Sequence, residues 1–309
     1  MGKAAAINGL ECSADAFVWA AEVLRTRFDE IAGLRRAVLA SDDIEAVHEM
    51  RVATRRLRSA LRDFAPLLRS RPLKTVRKDL KELADTLGVA RDEDVALVAL
   101  EKLQKKAPEP AVKTGIEKLI AERRKKRACA QRDLTAALAA SALDDLQRRF
   151  HAAVEKAAQK KSKAQTVSFT DAGRAAVLNG LEEFCRLSES LYAPHRVKRL
   201  HRLRISAKRL RYAVELFTAC RGEQLTPFAE EIAEMQSYLG EVHDADAWIE
   251  SFSTRLLEDD QEISETNLWL LSRFVKLRTK NYRAALALWS KWQTERFPEK
   301  LREMILSAG

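Results

Sequence analysis

Two short segments of this sequence combine histidine and arginine at helical spacing. The first runs from His48 to Arg58 as His-Glu-Met-Arg-Val-Ala-Thr-Arg-Arg-Leu-Arg, and the second runs from His201 to Arg211 as His-Arg-Leu-Arg-Ile-Ser-Ala-Lys-Arg-Leu-Arg. Guanidinium groups contact phosphate oxygens in bidentate pairs, and an imidazole beside an anion protonates readily. These residue types therefore point to the binding of phosphate groups.

Each segment carries two sets of positions spaced three and four residues apart, and the sets lie about 100° apart around a helix. The apolar sets, predicted to face a core, are Val47, Met50, Thr54, Leu57, Leu61, Phe64 and Leu68, and Leu200, Leu203, Ala207, Leu210, Val214 and Phe217. The basic sets, here called the stripes, are His48, Arg51, Arg55, Arg58 and Arg62 in the first half, and His201, Arg204, Lys208 and Arg211 in the second. Like charges on one face weaken an isolated helix, so we expect an anionic ligand. A merely solvated basic face is the alternative, and Glu215, which stands where the first half has Arg62, favours it.

A second motif shows that the stripes belong to an internal repeat. The segment from Leu87 to Asp94 matches the segment from Leu239 to Asp246, 152 residues later, while the two histidine segments are 153 residues apart. Two motifs in the same order predict two homologous halves. Gly88 and Gly240 are expected to interrupt or bend their helices, or to permit a close approach. Asp92 and Asp244 are expected either to pair with stripe arginines or to form simple surface ion pairs.

The composition predicts an all-α protein. Only 10 of the 309 residues are Gly and 7 are Pro, and the abundant Ala, Leu, Arg, Glu and Lys favour helices. We place helices near 10–40, 43–70, 73–105 and 111–140, and near 170–191, 195–221, 225–257 and 261–295. Residues 1–158 are predicted to form the first antiparallel four-helix half, 159–169 a polar linker, and 170–309 the second half.

The charge balance favours a polyanionic partner, since 55 Lys and Arg against 45 Asp and Glu give a net charge of +10. No apolar run approaches the roughly 18 residues of a membrane span, so no membrane association is expected. The four cysteines lack zinc-site or disulfide-framework spacing, which favours a reducing cytoplasm. The cysteines are Cys12, Cys129, Cys185 and Cys220.

Further cations follow the stripes. Lys74, Arg77 and Lys81 have stripe spacing on the next helix of the first half, whereas the runs at 123–127 and 273–280 are weaker signals. The histidines could contact phosphate, bind a metal, accept a phosphoryl group or cap a helix start. A metal site would need a nearby second ligand, which the sequence does not offer, and the neighbouring arginines disfavour a cation. No metal, cofactor or catalytic residue is predicted.

The motifs His-x-x-Arg-Val-x-x-Arg-Arg-Leu-Arg and Leu-Gly-x-x-Arg-Asp resemble those of the CHAD domain, the conserved histidine α-helical domain, over about residues 10–300. The resemblance implies two four-helix subdomains related by pseudo-twofold symmetry, which bind inorganic polyphosphate and, in bacteria, associate with polyphosphate granules. The Glu-x-Glu-x-Lys motif of the CYTH-type triphosphatase that some relatives carry is absent, so a stand-alone binding module is expected. The implied ligands are His48, Arg51, Arg55, Arg56, Arg58, Arg91, His201, Arg204, Lys208, Arg209 and Arg211, with His243 in the place of Arg91.

Two other function classes remain as alternatives. The same arginines could neutralise the phosphates of DNA or RNA, although no aromatic residues interleave with them as a stacking platform. An enzyme that transfers or cleaves phosphate would need an activated nucleophile or a carboxylate-held metal, and the sequence shows no such constellation. We expect the stripes to face a shared groove or channel, which would favour long phosphate chains. The sequence does not indicate an oligomeric state.

Overall fold

The computed structural model describes residues 13–40, 44–68, 70–159, 167–257 and 261–307. An isolated bridge joins Asp15 to Ser168, and all other regular structure in the described ranges is helical. The prediction of an all-α fold is confirmed. The α-helices are α1 Ala16–Gly33, α2 Arg35–Leu39, α3 Ile44–Asp63, α4 Arg71–Gln104, α5 Pro110–Ala137, α6 Ala140–Gln159, α7 Phe169–Leu187, α8 Val197–Arg221, α9 Thr226–Leu257, α10 Gln261–Thr294 and α11 Phe297–Leu306.

The chain divides into two compact units. The first comprises Met1–Pro108 and Ile116–Ala172, and the second comprises Glu109–Gly115 and Gly173–Gly309. In the first unit α1 packs against α3 and α6, α3 packs against α4, and α4 packs against α6. In the second unit α8 packs against α9, α9 against α10 and α10 against α11. Most of the predicted linker, residues 160–166, lies outside the described residues.

Several helix bounds differ from those predicted. α6 and α11 were not predicted, so each half has a helix beyond the expected four. The first predicted helix is divided at Leu34 into α1 and α2, and α3 ends at Asp63, after which turns carry Phe64 and Leu68 into the core. The predicted break at 41–43 lies outside the described residues. Breaks at Pro108–Pro110, Pro194 and Gly222, whose φ is 74°, are confirmed.

The repeated helices α3 and α8 form the centre of their units because their apolar faces are buried. Every residue predicted to face the core is buried in both halves, from Val47 to Leu68 and from Leu200 to Phe217. Thr54 is also fully buried, and its hydroxyl donates to the carbonyl oxygen of Met50 at 2.8 Å. Burial of one face fixes the rotation of each helix about its axis, which in turn decides where its cations lie.

The expectation that Gly88 and Gly240 interrupt their helices is wrong. Gly88 lies within the continuous helix α4, and Gly240 lies within the continuous helix α9. α4 is capped at its start by Ser70, whose hydroxyl accepts a hydrogen bond from the Leu73 amide at 3.2 Å, and Pro72 lies in the first turn. Neither glycine has a positive φ.

One glycine tests the packing of the second unit. A Cβ added to Gly173 would lie 2.1 Å from Cδ2 of the buried Phe217, so Gly173→Ala overpacks the core. We expect a loss of about 1–3 kcal/mol in the free energy of unfolding, measured by chemical denaturation. Gly33→Ala is the matched control, because no atom lies within 4 Å of the added Cβ. Equal stability of the two variants would contradict this packing.

Candidate anion-binding site

The first arginine of each stripe lies across the glycine of the next helix. A Cβ built on Gly88 would be 4.0 Å from Nε of Arg51, and a Cβ built on Gly240 would be 4.0 Å from Nε of Arg204. The same helix pair, α3 with α4 and α8 with α9, therefore makes the same contact in both halves. Alanine would fit at this distance, whereas a longer side chain would compete with the guanidinium for space.

In the first half the predicted ligands lie along α3 and α4 with differing exposure. Arg51 is bonded to the exposed Asp92, with Nη2 and Oδ1 at 3.4 Å, so the predicted pairing of an aspartate with the stripe is confirmed here. Arg62 donates from Nε and Nη2 to the adjacent Asp63 at 3.0 and 2.6 Å. His48, Arg51, Arg55, Arg56, Arg62 and Arg91 are partly exposed, and Arg58, Lys74, Arg77 and Lys81 are exposed.

The three cations near the start of α4 share a face with Gly88. At 100° per residue, Lys74, Arg77 and Lys81 lie within about 40° of Gly88 around the helix axis. Since Gly88 faces Arg51 of α3, this side of α4 is the one next to the stripe. The helix pair consequently extends the basic surface of α3 onto α4 in the first half.

In the second half the stripe is shorter than predicted. His201, Arg204 and Lys208 are partly exposed, but Arg211 is only 7% exposed and donates from Nε to Glu215 at 2.7 Å. Glu215 lies one turn along α8 from Arg211, so the two side chains form an i,i+4 ion pair that draws the guanidinium inward.

Arg209 is likewise engaged within the fold. It donates from Nη1 to Glu183 of α7 at 3.0 Å, with both side chains about one-third exposed or slightly more. Asp244, which was expected to pair with a stripe arginine or to be a surface ion-pair partner, is exposed. The second-half surface is thus centred on the start of α8.

Two histidines meet in the second half. Nδ1 of His201 on α8 lies 3.2 Å from Nδ1 of His243 on α9, and the ring centroids are 4.3 Å apart. In the first half Arg91 occupies the position of His243, and its charge acts on His48. The repeat therefore places a histidine on the first helix against either an arginine or a second histidine on the next.

All three of these imidazoles have a lowered pKa. Burial is the largest cause in each case, followed by the nearby cations: Arg91 for His48 and Arg204 for both His201 and His243. The pKa of His243 falls to about 4. Because the unfolded chain would bind protons to these imidazoles near pH 6.5, the three histidines reduce the stability of the free fold as the pH drops below that value.

Each candidate site is accompanied by a largely buried ion pair that the sequence did not predict. Asp94 accepts from Nε of Arg127 on α5 at 2.6 Å, and Asp246 accepts from Nε of Arg278 on α10 at 2.5 Å. Arg278 also donates to the carbonyl oxygen of Pro194, just before α8, at 2.6 Å. Asp94 and Asp246 belong to the repeated second motif, so their recurrence was the available signal.

The other basic runs are largely engaged with acidic or aromatic side chains. Arg123 binds Glu93 at 3.0 Å and Arg124 binds Glu101 at 3.2 Å. The guanidinium of Arg273 lies 5.0 Å from the ring centroid of Trp269. These contacts explain why the runs at 123–127 and 273–280 are weaker candidates than the stripes.

Within the described ranges, no set of three or more His, Cys, Asp or Glu side chains is arranged to hold a metal ion, and none of the helices there is long and apolar enough to cross a bilayer. Cys129 and Cys185 are free thiols, whereas Cys220 is disulfide-bonded. The wide spacing of the cysteines gave no indication of that bond.

Two helical units with one repeated basic motif define this protein as an all-α protein built from an internal duplication, with a cationic surface in each half. Residues 22–253 match the family model described as the CHAD domain. The match covers most of the chain, and the protein belongs to the CHAD domain family.

Two curated relatives match part of this chain. Two uncharacterized proteins of Mycobacterium tuberculosis, Rv2226 of strain H37Rv and MT2285 of strain CDC 1551, are 34% and 33% identical over 179 residues, which is 57% of this chain. The aligned part spans about a third, 35%, of the length of each of these relatives.

The fold is shared with solved structures. The CHAD domain from the plant Ricinus communis superposes with a TM-score of 0.74 at 22% identity, over 93% of this chain and 95% of that one. PptA from Streptomyces chartreusis superposes with a TM-score of 0.61 at 18% identity, over 90% of this chain and all of that one. At these identities the likeness concerns the fold alone.

The buried ion pair behind the first site provides a stability test. Asp94→Ala leaves the mostly buried guanidinium of Arg127 without its carboxylate, so we expect a loss of roughly 3 kcal/mol in unfolding free energy, measured by chemical denaturation. Asp92→Ala is the control, because the Asp92 side chain is 72% exposed and an exposed pair contributes less than about 1 kcal/mol. A loss at Asp94 no larger than that at Asp92 would contradict the role of the pair.

Proposed function

We propose that this protein binds inorganic polyphosphate through the basic surfaces of α3 with α4 and of α8 with α9. The observation that carries the proposal is the recurrence in both halves of one helix pair, in which a histidine and an arginine lie one turn apart beside a glycine of the next helix. A chain of phosphates presents a uniform row of anionic oxygens, which suits repeated guanidinium and imidazole donors.

The electrostatics of the free protein support an anionic ligand. After burial, which is the largest cause, nearby arginine and lysine charges lower the pKa of the histidines in both halves. Positive charge therefore lies close to the imidazoles. A phosphate group placed there would relieve this repulsion and make protonation easier. The membership of the CHAD domain family supports the same ligand class.

Polyphosphate is favoured over nucleic acid because the helices that carry the stripes expose no rings. α3 contains no aromatic residue, and the aromatic residues of α8, Tyr212 and Phe217, are 6% and 1% exposed. Proteins that bind single strands without sequence preference stack bases on exposed aromatic side chains. The stripes instead offer charge and hydrogen-bond donors, which recognise phosphates without bases.

Binding without cleavage is the simplest activity for these surfaces. Phosphoryl transfer usually needs a metal held by carboxylates or an activated nucleophile. The aspartates that recur in the two halves, Asp94 and Asp246, are bonded to Arg127 and Arg278, so their contacts stabilise the fold. We place the protein in the cytoplasm, at polyphosphate granules.

The proposal is tested by removing the first-half stripe. Arg51, Arg55 and Arg58 replaced together by Gln keep good helix formers on α3 while removing three charges. We expect this variant to bind long-chain polyphosphate at least tenfold more weakly than wild type, measured for both proteins by fluorescence anisotropy in the presence of excess duplex DNA. Its helical circular dichroism spectrum should be unchanged.

The control variant removes the same charge elsewhere. The control replaces Arg25, Arg132 and Arg148 by Gln, three arginines that lie outside the stripes. It should retain most of the affinity. Equal losses in both triple variants would mean that binding uses a diffuse basic surface, and displacement of polyphosphate by the duplex DNA would favour a nucleic-acid partner.

A further inference from the structure

The contact between His201 and His243 constrains where their protons lie. A hydrogen bond between the two Nδ1 atoms, 3.2 Å apart, needs one N–H donor and one lone-pair acceptor. In the neutral pair one ring is therefore the Nδ1–H tautomer and the other is the Nε2–H tautomer. The two Nε2 atoms, which point away from the contact, are then one acceptor and one donor.

One added proton changes the outward face of this pair. The proton binds the free Nε2 lone pair, after which both Nε2 atoms carry hydrogen and the Nδ1–H···Nδ1 bond is kept. A second proton would place two N–H groups against each other and break that bond. The pair is thus built to accept a single proton, and in accepting it the outward face becomes two donors with one positive charge.

Burial and the surrounding charges set how readily the proton is taken up. Burial disfavours it most, Arg204 and Lys208 of α8 disfavour it as well, and Asp246 of α9 favours it. Asp246 is itself bonded to Arg278 of α10 at 2.5 Å, which offsets its charge. The lowered pKa of both histidines keeps the pair neutral near pH 7 until an anion arrives.

We propose that the second-half site takes up one proton together with its phosphate anion, on the His201–His243 pair. The proposal rests on the proposed function of the same surface. The first half lacks this device, because Arg91, which is permanently charged, stands where the second half has His243. The first half thus places a permanent charge of α4 beside its histidine, whereas the second half gains the corresponding charge only when the pair takes up a proton.

The substitution that tests the proposal most directly is His243→Arg, which gives the second half the residue type that Arg91 provides in the first half. Isothermal titration of the full chain with long-chain polyphosphate, at pH 6 in buffers of different ionisation enthalpy, measures the protons taken up. The variant should bind while taking up about one proton fewer than wild type. The affinity of wild type should rise as the pH falls from 8 to 6, by up to tenfold per pH unit for one proton taken up. The affinity of His243→Arg should change less over the same range. His195→Gln, at an exposed position before α8, should match wild type.

Two outcomes would overturn the proposal. One is equal proton uptake by wild type and His243→Arg. The other is read on the free protein by ¹⁵N NMR of the imidazoles: His201 and His243 should show opposite tautomers, and identical tautomers would exclude the shared proton. The tautomer measurement needs no ligand, so it decides the proton sharing even if wild type fails to bind polyphosphate, a result that would instead refute the proposed function.

Discussion

Repulsion among the cations within α3 and within α8 is the physical constraint that the rest of the structure has to offset. Each helix places three or more basic side chains on one face, an arrangement that destabilises an isolated helix. Burial of the apolar faces, with Met50, Leu57, Leu203 and Leu210 fully enclosed, holds the helices in place against this repulsion. After burial, which is the largest cause, the nearby cations also lower the pKa of the histidines. An anionic ligand would offset this repulsion.

The two halves keep the framework of the site and vary its charges. The glycine contacts of Arg51 and Arg204 and the ion pairs of Asp94 and Asp246 recur almost unchanged in distance. Around that framework, Arg62 is replaced by Glu215, which turns Arg211 inward, and Arg91 is replaced by His243. The two basic surfaces therefore differ in extent and in the residue that faces the histidine from the next helix.

Periodicity predicted the parts of the fold that are regular in sequence. The core faces of α3 and α8 follow from apolar spacing alone, and Pro108–Pro110 and Pro194 mark real breaks because proline cannot continue a helix. α6 was missed since neither glycine nor proline separates it from α5 at Leu138 and Ala139. The His201–His243 contact and the Asp94–Arg127 pair join different helices, so helical spacing could not predict them. Arg211 was predicted as a ligand because helical spacing places it on the basic face. Spacing does not show which side chain Arg211 will contact, here Glu215.

The salt dependence of binding tests the central claim that fixed cations on the repeated helix pairs bind a row of phosphates. Counterions condensed on a polyanion are released when basic side chains replace them, so the affinity must fall as salt rises. By analogy with DNA, contacts to about 6–10 phosphates predict a loss of roughly 10³–10⁵ in the affinity for long-chain polyphosphate between 50 and 200 mM salt. An affinity that stayed constant over this range would contradict the account.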